Sequence, residues 1–231
     1  LANALKGYRH KDCVVLALPR GGVPVAAEVA RVLDAPLDLL LVRKIGAPVQ
    51  PELAIGSVID GGEPIVIRDG RMIQITGTSD TQFDHICARE LEEIERRREL
   101  YLGGRKPEPL AGRTVIVIDD GLATGNTMRA GLQAVRQRNP KHVVMAVPVA
   151  PAETLETFHD LADEIVCLER PQRFAAVGYH YNDFRQIEDE QKRAIANPMV
   201  RMLGCDVGDE PERRHVSTAL DNLAGMDVVG C

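Results

Sequence analysis

Five consecutive β-branched residues, Thr114-Val-Ile-Val-Ile118, run directly into two adjacent carboxylates, Asp119 and Asp120. An apolar β-branched run without polar alternation belongs to a strand buried on both faces, as in a parallel sheet. The turn that follows carries Gly121, Ala123, Thr124, Gly125, Asn126 and Thr127, and a helical pattern begins at about Met128. Strand, acidic pair, Gly/Thr loop and helix start is the order suited to a sugar phosphate at a strand's carboxyl end. Loop amides and the positive helix N-terminus would hold the phosphate. The plainer reading is a turn with an ordinary helix cap, since Asp, Gly and Thr serve there too. The second carboxylate argues against it, because a cap needs one acid and two neighbours repel. Adjacent strand residues point to opposite faces, so both acids reach one ligand only where the chain leaves strand geometry, as Gly121 permits.

The stretch from Thr114 to Thr127 resembles the phosphoribosyl pyrophosphate motif of the type I phosphoribosyltransferases: apolar residues, two acids, then Thr-Gly-x-Thr. The resemblance covers about residues 12–191. It implies an open, mostly parallel twisted α/β sheet with helices on both faces, a small hood and a hairpin/helix insert. Asp119 and Asp120 would then be the catalytic residues, binding the ribose hydroxyls. Gly121 and Ala123 to Thr127 would wrap the 5′-phosphate, with Asn126 standing where the family often has a smaller residue.

The chain reads in order as further strand–loop–helix units. Residues 12–18 form a buried strand, Pro19-Arg-Gly-Gly22 a loop, and Val23 to Leu33 an amphipathic helix. On its own the loop is equally a tight glycine turn. In the family a short loop after the first core strand holds the pyrophosphate. Arg20 and the amides of Gly21 and Gly22 fit that part, since Arg pairs with phosphate oxygens bidentately. By the same analogy a cis peptide is expected there. Residues 36–42 read as the next strand, ending on Arg43 and Lys44, a second set of pyrophosphate contacts or a solvated basic pair. Residues 54–60 and 63–68 flank Gly61-Gly62 as a hairpin, and a helix runs from a cap at Ser79 or Asp80 to about Leu102, stopped by Gly103-Gly104. The family's insert supplies a lid that excludes water, placed here within 61–104. Helix 128–138, strand 141–147, helix 151–161 and strand 164–168 complete the alternation that indicates a parallel sheet.

Half of the chain's eight Phe and Tyr residues fall in Arg173 to Phe184. This marks a surface for a planar acceptor or a small packed patch. Phe174, Tyr179 and Tyr181 are the acceptor-binding candidates, followed by His180 and Asp183, in a hood over about 170–196. Residues 188–196 read as helical, and 197–231 as a C-terminal extension of unknown role beyond a first domain of 1–196.

The resemblance implies transfer of a phosphoribosyl group to a nucleobase-like or other nitrogen nucleophile with release of pyrophosphate. Mg2+ would be held mainly through the diphosphate, with no protein metal ligand assigned, and a homodimer is expected. The same scaffold would also serve a non-catalytic sensor of a nucleotide or of the diphosphate, and Asp119 could serve a phosphate-ester hydrolase. Composition narrows the partners: 28 basic against 34 acidic residues give a formal charge of −6, which argues against a nucleic-acid or membrane-surface binder. No apolar run approaches the ~20 residues of a membrane-spanning helix. The chain opens at Leu1 without a signal-like segment, leaving room for residues upstream. Five scattered cysteines without C-x-x-C favour free thiols in a reducing, cytoplasmic setting.

Overall fold

A computed structural model of the chain describes residues 1–60, 63–103, 105–182 and 184. The expected Gly61-Gly62 turn, Gly104, Asp183, the helix over 188–196 and the extension 197–231 lie outside the described residues. The chain divides into two units, one of residues 1–39 with 108–231 and the other of Leu40–Pro107.

The first unit is built on five parallel strands. They are β1 (Cys13–Ala17), β2 (Leu37–Leu39), β6 (Thr114–Ile118), β7 (His142–Val149) and β8 (Glu164–Glu169), in the spatial order β2-β1-β6-β7-β8. All of β1, and β6 and β7 beyond their first residues, are buried. That is why these segments read as unbroken apolar runs. Helix α1 (Gly22–Leu33) carries the chain from β1 to β2 on one side of the sheet's centre. Helices α4 (Asn126–Gln137) and α5 (Ala152–Glu156) carry it from β6 through β7 to β8 on the other. Right-handed crossovers in opposite directions put α1 on one face and α4 and α5 on the other. The order therefore reverses between β1 and β6, which pair in register from Cys13 with Thr114 to Ala17 with Ile118. In open α/β sheets that reversal opens the ligand crevice at the carboxyl ends of the strands.

The second unit is an antiparallel meander of β3 (Val42–Gly46), β4 (Ala54–Ile59) and β5 (Ile65–Arg68), with helices α2 (Gly70–Thr76) and α3 (Asp80–Leu102). A capping box starts α3: the Ser79 hydroxyl accepts from the Gln82 amide, and the Gln82 side chain accepts from the Ser79 amide. Phe83 and Ile94 of α3 are buried, as are Ile55, Val58 and Ile59 of β4. Inside this unit Arg98 forms a buried ion pair with Asp60.

Three expectations change. The strand over 36–42 is two strands: β2 ends at Leu39, and β3 begins at Val42 in the other sheet. The apolar run Leu39-Leu-Leu-Val42 stays buried through Leu41 while it changes sheets, and hydrophobicity registers burial but not the pairing partner. The insert is also larger than 61–104, since it takes in β3 and β4. Finally, the helix over 151–161 is regular only over Ala152–Glu156.

Candidate active site

At the switch point two loops leave adjacent strands together. The Leu18 amide donates to the Ile118 carbonyl at 2.9 Å, extending the β1–β6 ladder to the base of both loops. The first loop then turns through Pro19 and Arg20, whose connecting peptide is cis as the resemblance suggested. Two glycines let the loops close on each other. A Cβ on Gly21 would sit 1.7 Å from Asp120 Oδ2. A Cβ on Gly22 would sit 2.7 Å from the Ile118 carbonyl oxygen and 2.9 Å from Asp119 Cα. Real Cβ atoms do not approach so closely: at Gly22 the obstacle is backbone and the contact requires glycine, whereas at Gly21 a side chain would displace the Asp120 carboxyl. The two glycine amides differ: Gly22 donates to the Leu18 carbonyl at 3.1 Å, whereas the Gly21 amide has no acceptor among the described residues. Gly22 thus contributes close approach rather than a free donor, a change from its expected role. The Arg20 side chain is exposed and has no ion-pair partner among the described residues.

Asp119 and Asp120 directly follow β6 and are both half-buried. Asp119 Oδ1 accepts from the Asp120 amide at 2.9 Å. Burial and the neighbouring Asp120 charge push the Asp119 carboxyl well above the usual carboxylate range. Burial also raises Asp120, partly offset by hydrogen bonding to Asp119 and to the Asp120 and Gly121 amides. No cationic side chain among the described residues contributes to either shift. Two carboxylates packed together without a cation are poised for a positively charged partner. No group of three or more His, Cys, Asp or Glu suited to a metal forms among the described residues.

The phosphate-loop candidates follow. Gly121 and Leu122 are buried, and the Leu122 amide donates to the Val149 carbonyl at the end of β7. Ala123, Thr124, Asn126 and Thr127 are exposed. Gly125 caps α4 with φ of +71°, in the left-handed region, and no side chain caps that helix. The amides of residues 123–128 have no acceptor among the described residues. Unclaimed amides at the start of a 12-residue helix form an anion cradle. The helix begins two residues earlier than Met128, so Asn126 and Thr127 belong to its first turn.

The next strand–helix unit braces this loop from behind. Thr154 Oγ1 donates to the Ala123 carbonyl at 3.2 Å. The Phe158 ring would lie 2.6 Å from a Cβ on Gly125. Arg129 donates to the Thr157 carbonyl at 3.0 Å and to its hydroxyl at 2.6 Å, and lies over the Phe158 ring. Sequence reading did not single out Thr154, Thr157 or Phe158, because nothing local to them signals a phosphate loop some 30 residues away.

These features coincide with a family assignment. The phosphoribosyl transferase domain model matches residues 1–183 of the chain. The chain belongs to this family. A Mycobacterium tuberculosis relative carrying the phosphoribosyl transferase name is 44% identical over 191 residues, covering 83% of this chain and 43% of the relative. The chain therefore spans less than half the length of the curated relatives it matches first. Uracil phosphoribosyltransferase of Sinorhizobium fredii is 25% identical over 160 residues, covering 68% of this chain and 71% of that enzyme. The crystal structure of TT1426 from Thermus thermophilus superposes with a TM-score of 0.73 at 43% identity, covering 86% of this chain and 93% of that one.

Within the phosphoribosyl transferase domain the other candidate residues divide. Arg43 and Lys44 do not end a parallel strand. They lie inside β3 of the second unit, where Arg43 pairs with Glu90 at 2.6 Å and Lys44 with Glu52 at 3.0 Å. The aromatic segment sits in the first unit around a 3-10 turn, Val177–His180. Tyr179 is 79% exposed, and Phe174 stacks on His180 with ring centroids 5.3 Å apart. Tyr181 is buried at 7% exposure, and its hydroxyl donates to the Asp120 carbonyl at 2.5 Å. A ring so placed is not a free stacking surface, so its expected place against an acceptor gives way to a contact with the acidic pair. No helix among the described residues is long and apolar enough to cross a membrane.

Proposed function

We propose that the chain binds phosphoribosyl pyrophosphate at the β1–β6 switch point and transfers its phosphoribosyl group to a nitrogen nucleophile, releasing pyrophosphate. The convergence of the two loops carries the reading: Gly21 lies directly against the Asp120 carboxyl. One loop offers amides to a 5′-phosphate, the other offers the exposed Arg20 guanidinium to a diphosphate, and the acidic pair sits where they meet.

In this reading the amides of residues 123–128 and the N-terminus of α4 hold the 5′-phosphate. Asp119 and Asp120 accept hydrogen bonds from the ribose hydroxyls. The Arg20 guanidinium and the Gly21 amide hold the diphosphate. As the bond from C1 of the ribose to the diphosphate oxygen breaks, positive charge develops on the ribose ring while the nucleophile's electron pair forms the new C1–N bond. Two carboxylates that repel each other in the free protein gain most from a positive charge that appears only in the transition state, and that differential accelerates the step. Mg2+ bound mainly through diphosphate oxygens, next to the uncompensated acidic pair, would neutralise the leaving group. Arg43 and Lys44, each engaged in an ion pair within the second unit, are not required.

The test is pyrophosphate release from phosphoribosyl pyrophosphate, with Mg2+, across a panel of nucleobases and simple amines. Turnover with one acceptor class is expected. Saturable binding without turnover on any acceptor would favour a sensor on the same scaffold, and hydrolysis of simple phosphate esters would favour a phosphatase; either overturns the transferase reading.

A further inference from the structure

The geometry assigns Tyr181 as a positioning residue: it orients the Asp120 carboxylate toward the ribose by anchoring the peptide that follows it. The inference rests on the proposed ribose role of the acidic pair. Adjacent strand residues point to opposite faces, so the Asp120 side chain can share a ligand with Asp119 only if the backbone departs from strand geometry at Asp120 and is held there. Ordinary ladder bonds do not hold it, because β6 ends at Ile118. The Asp120 carbonyl is instead taken by the Tyr181 hydroxyl at 2.5 Å.

A trans peptide directs its carbonyl and amide to opposite sides. Fixing the Asp120 carbonyl on Tyr181 therefore also fixes the plane of the Asp120–Gly121 peptide, and with it the Cα from which the Asp120 side chain projects. The same peptide is confined sterically. A Cβ on Gly121 would lie 2.8 Å from Val177 Cγ1 and 3.0 Å from the Val149 carbonyl oxygen. The segment around residues 177–181 thus meets this loop twice, Val177 against Gly121 and Tyr181 by a hydrogen bond to the Asp120 carbonyl. Tyr181 is itself held, buried and with its ring 5.3 Å from Phe184. A phenol whose ionisation is pushed up by burial and by the nearby Asp120 and Asp119 charges stays a hydrogen-bond donor.

A residue that only stabilised the fold would weaken every ligand alike. One that aims Asp120 would change how well the site distinguishes a ribose hydroxyl from its absence. The experiment therefore compares affinities for ribose 5-phosphate and 2-deoxyribose 5-phosphate in the wild type, Tyr181→Phe, Asp120→Asn and Tyr8→Phe. Tyr8 supplies a matched control, since its hydroxyl bonds to Glu164 and His142 at the opposite, amino-terminal ends of β7 and β8. Tyr181→Phe should cut the wild-type preference for the ribose ligand about tenfold, the scale of one hydrogen bond to a charged group. Asp120→Asn should cut it at least as far, and Tyr8→Phe should leave it intact. Should Asp120→Asn lose the preference while Tyr181→Phe keeps it, the positioning role is overturned and the ribose site stands. Should the wild type show no preference, or bind neither sugar phosphate, the ribose assignment and the inference fall together.

Discussion

Gly125→Ala is the most informative single change in the phosphate loop, because two separable costs fall on one methyl group. The residue has φ of +71°, where a side chain costs about 1–2 kcal/mol. Its new Cβ would also lie 2.6 Å from Phe158 Cζ and 2.9 Å from Cε2. Phe158 is fully buried and covered by the Arg129 guanidinium, so its ring cannot swing away freely, and overpacking of that kind costs roughly 1–3 kcal/mol. Together the substitution should cost ~2–5 kcal/mol, a fall in melting temperature of roughly 4–20 °C for a chain of this size. The steric part can be removed by trimming the ring. In a double-mutant cycle read by urea denaturation, Gly125→Ala should cost about 1–3 kcal/mol less in a Phe158→Leu background than alone, leaving the dihedral cost. Additive effects across the cycle would refute the packing of Phe158 on the loop. A Gly125→Ala cost below ~0.5 kcal/mol, the range of ordinary surface changes, would refute both terms.

The acidic pair makes a prediction about pH with a definite sign. Because the folded state raises the Asp119 and Asp120 carboxyls, it binds more protons than the unfolded chain from about pH 4 upward to the folded values. Stability contributed by the pair therefore falls as pH rises through that window. Asp119→Asn, which keeps an oxygen for the Asp120 amide, should raise the urea midpoint at pH 7 and leave it nearly unchanged at pH 3; a lowered midpoint at pH 7 would contradict the repulsion. Arg20→Ala should weaken pyrophosphate binding by about tenfold or more, as expected for a lost charge-assisted pair, with little effect on ribose 5-phosphate. Equal losses for both ligands in calorimetric titrations would count against its place on the diphosphate.

Much of this site was legible because its parts are local. A β-branched run ending in two acids, then Gly and Thr before a helix, encodes strand, turn and helix start within a few residues. The same holds for Pro19 to Gly22, and strand–helix alternation placed both at the carboxyl ends of one sheet. What sequence reading missed depends on partners distant in the chain. Leu39 to Val42 stays apolar while the strand passes from one sheet to another, so Arg43 and Lys44 were read as the end of the wrong strand. The Gly22 amide looked available until its bond to Leu18 appeared. Tyr181 looked like a stacking ring, and only the fold shows its hydroxyl on the Asp120 carbonyl, 61 residues back in the chain. Thr154 and Phe158 brace the phosphate loop through contacts that no local spacing encodes.

The central claim is that the acidic pair and the two loops form one site for a ribose bearing phosphate and diphosphate groups. Calorimetric titration of phosphoribosyl pyrophosphate with Mg2+ into the wild-type chain and the Asp119→Asn, Asp120→Asn double variant tests it most directly. The wild type should bind one equivalent, and the double variant, folded by its melting transition, should bind at least tenfold more weakly, as expected for lost hydrogen bonds to charged groups. A folded double variant with wild-type affinity, or a wild type that does not bind the diphosphate, would contradict the account.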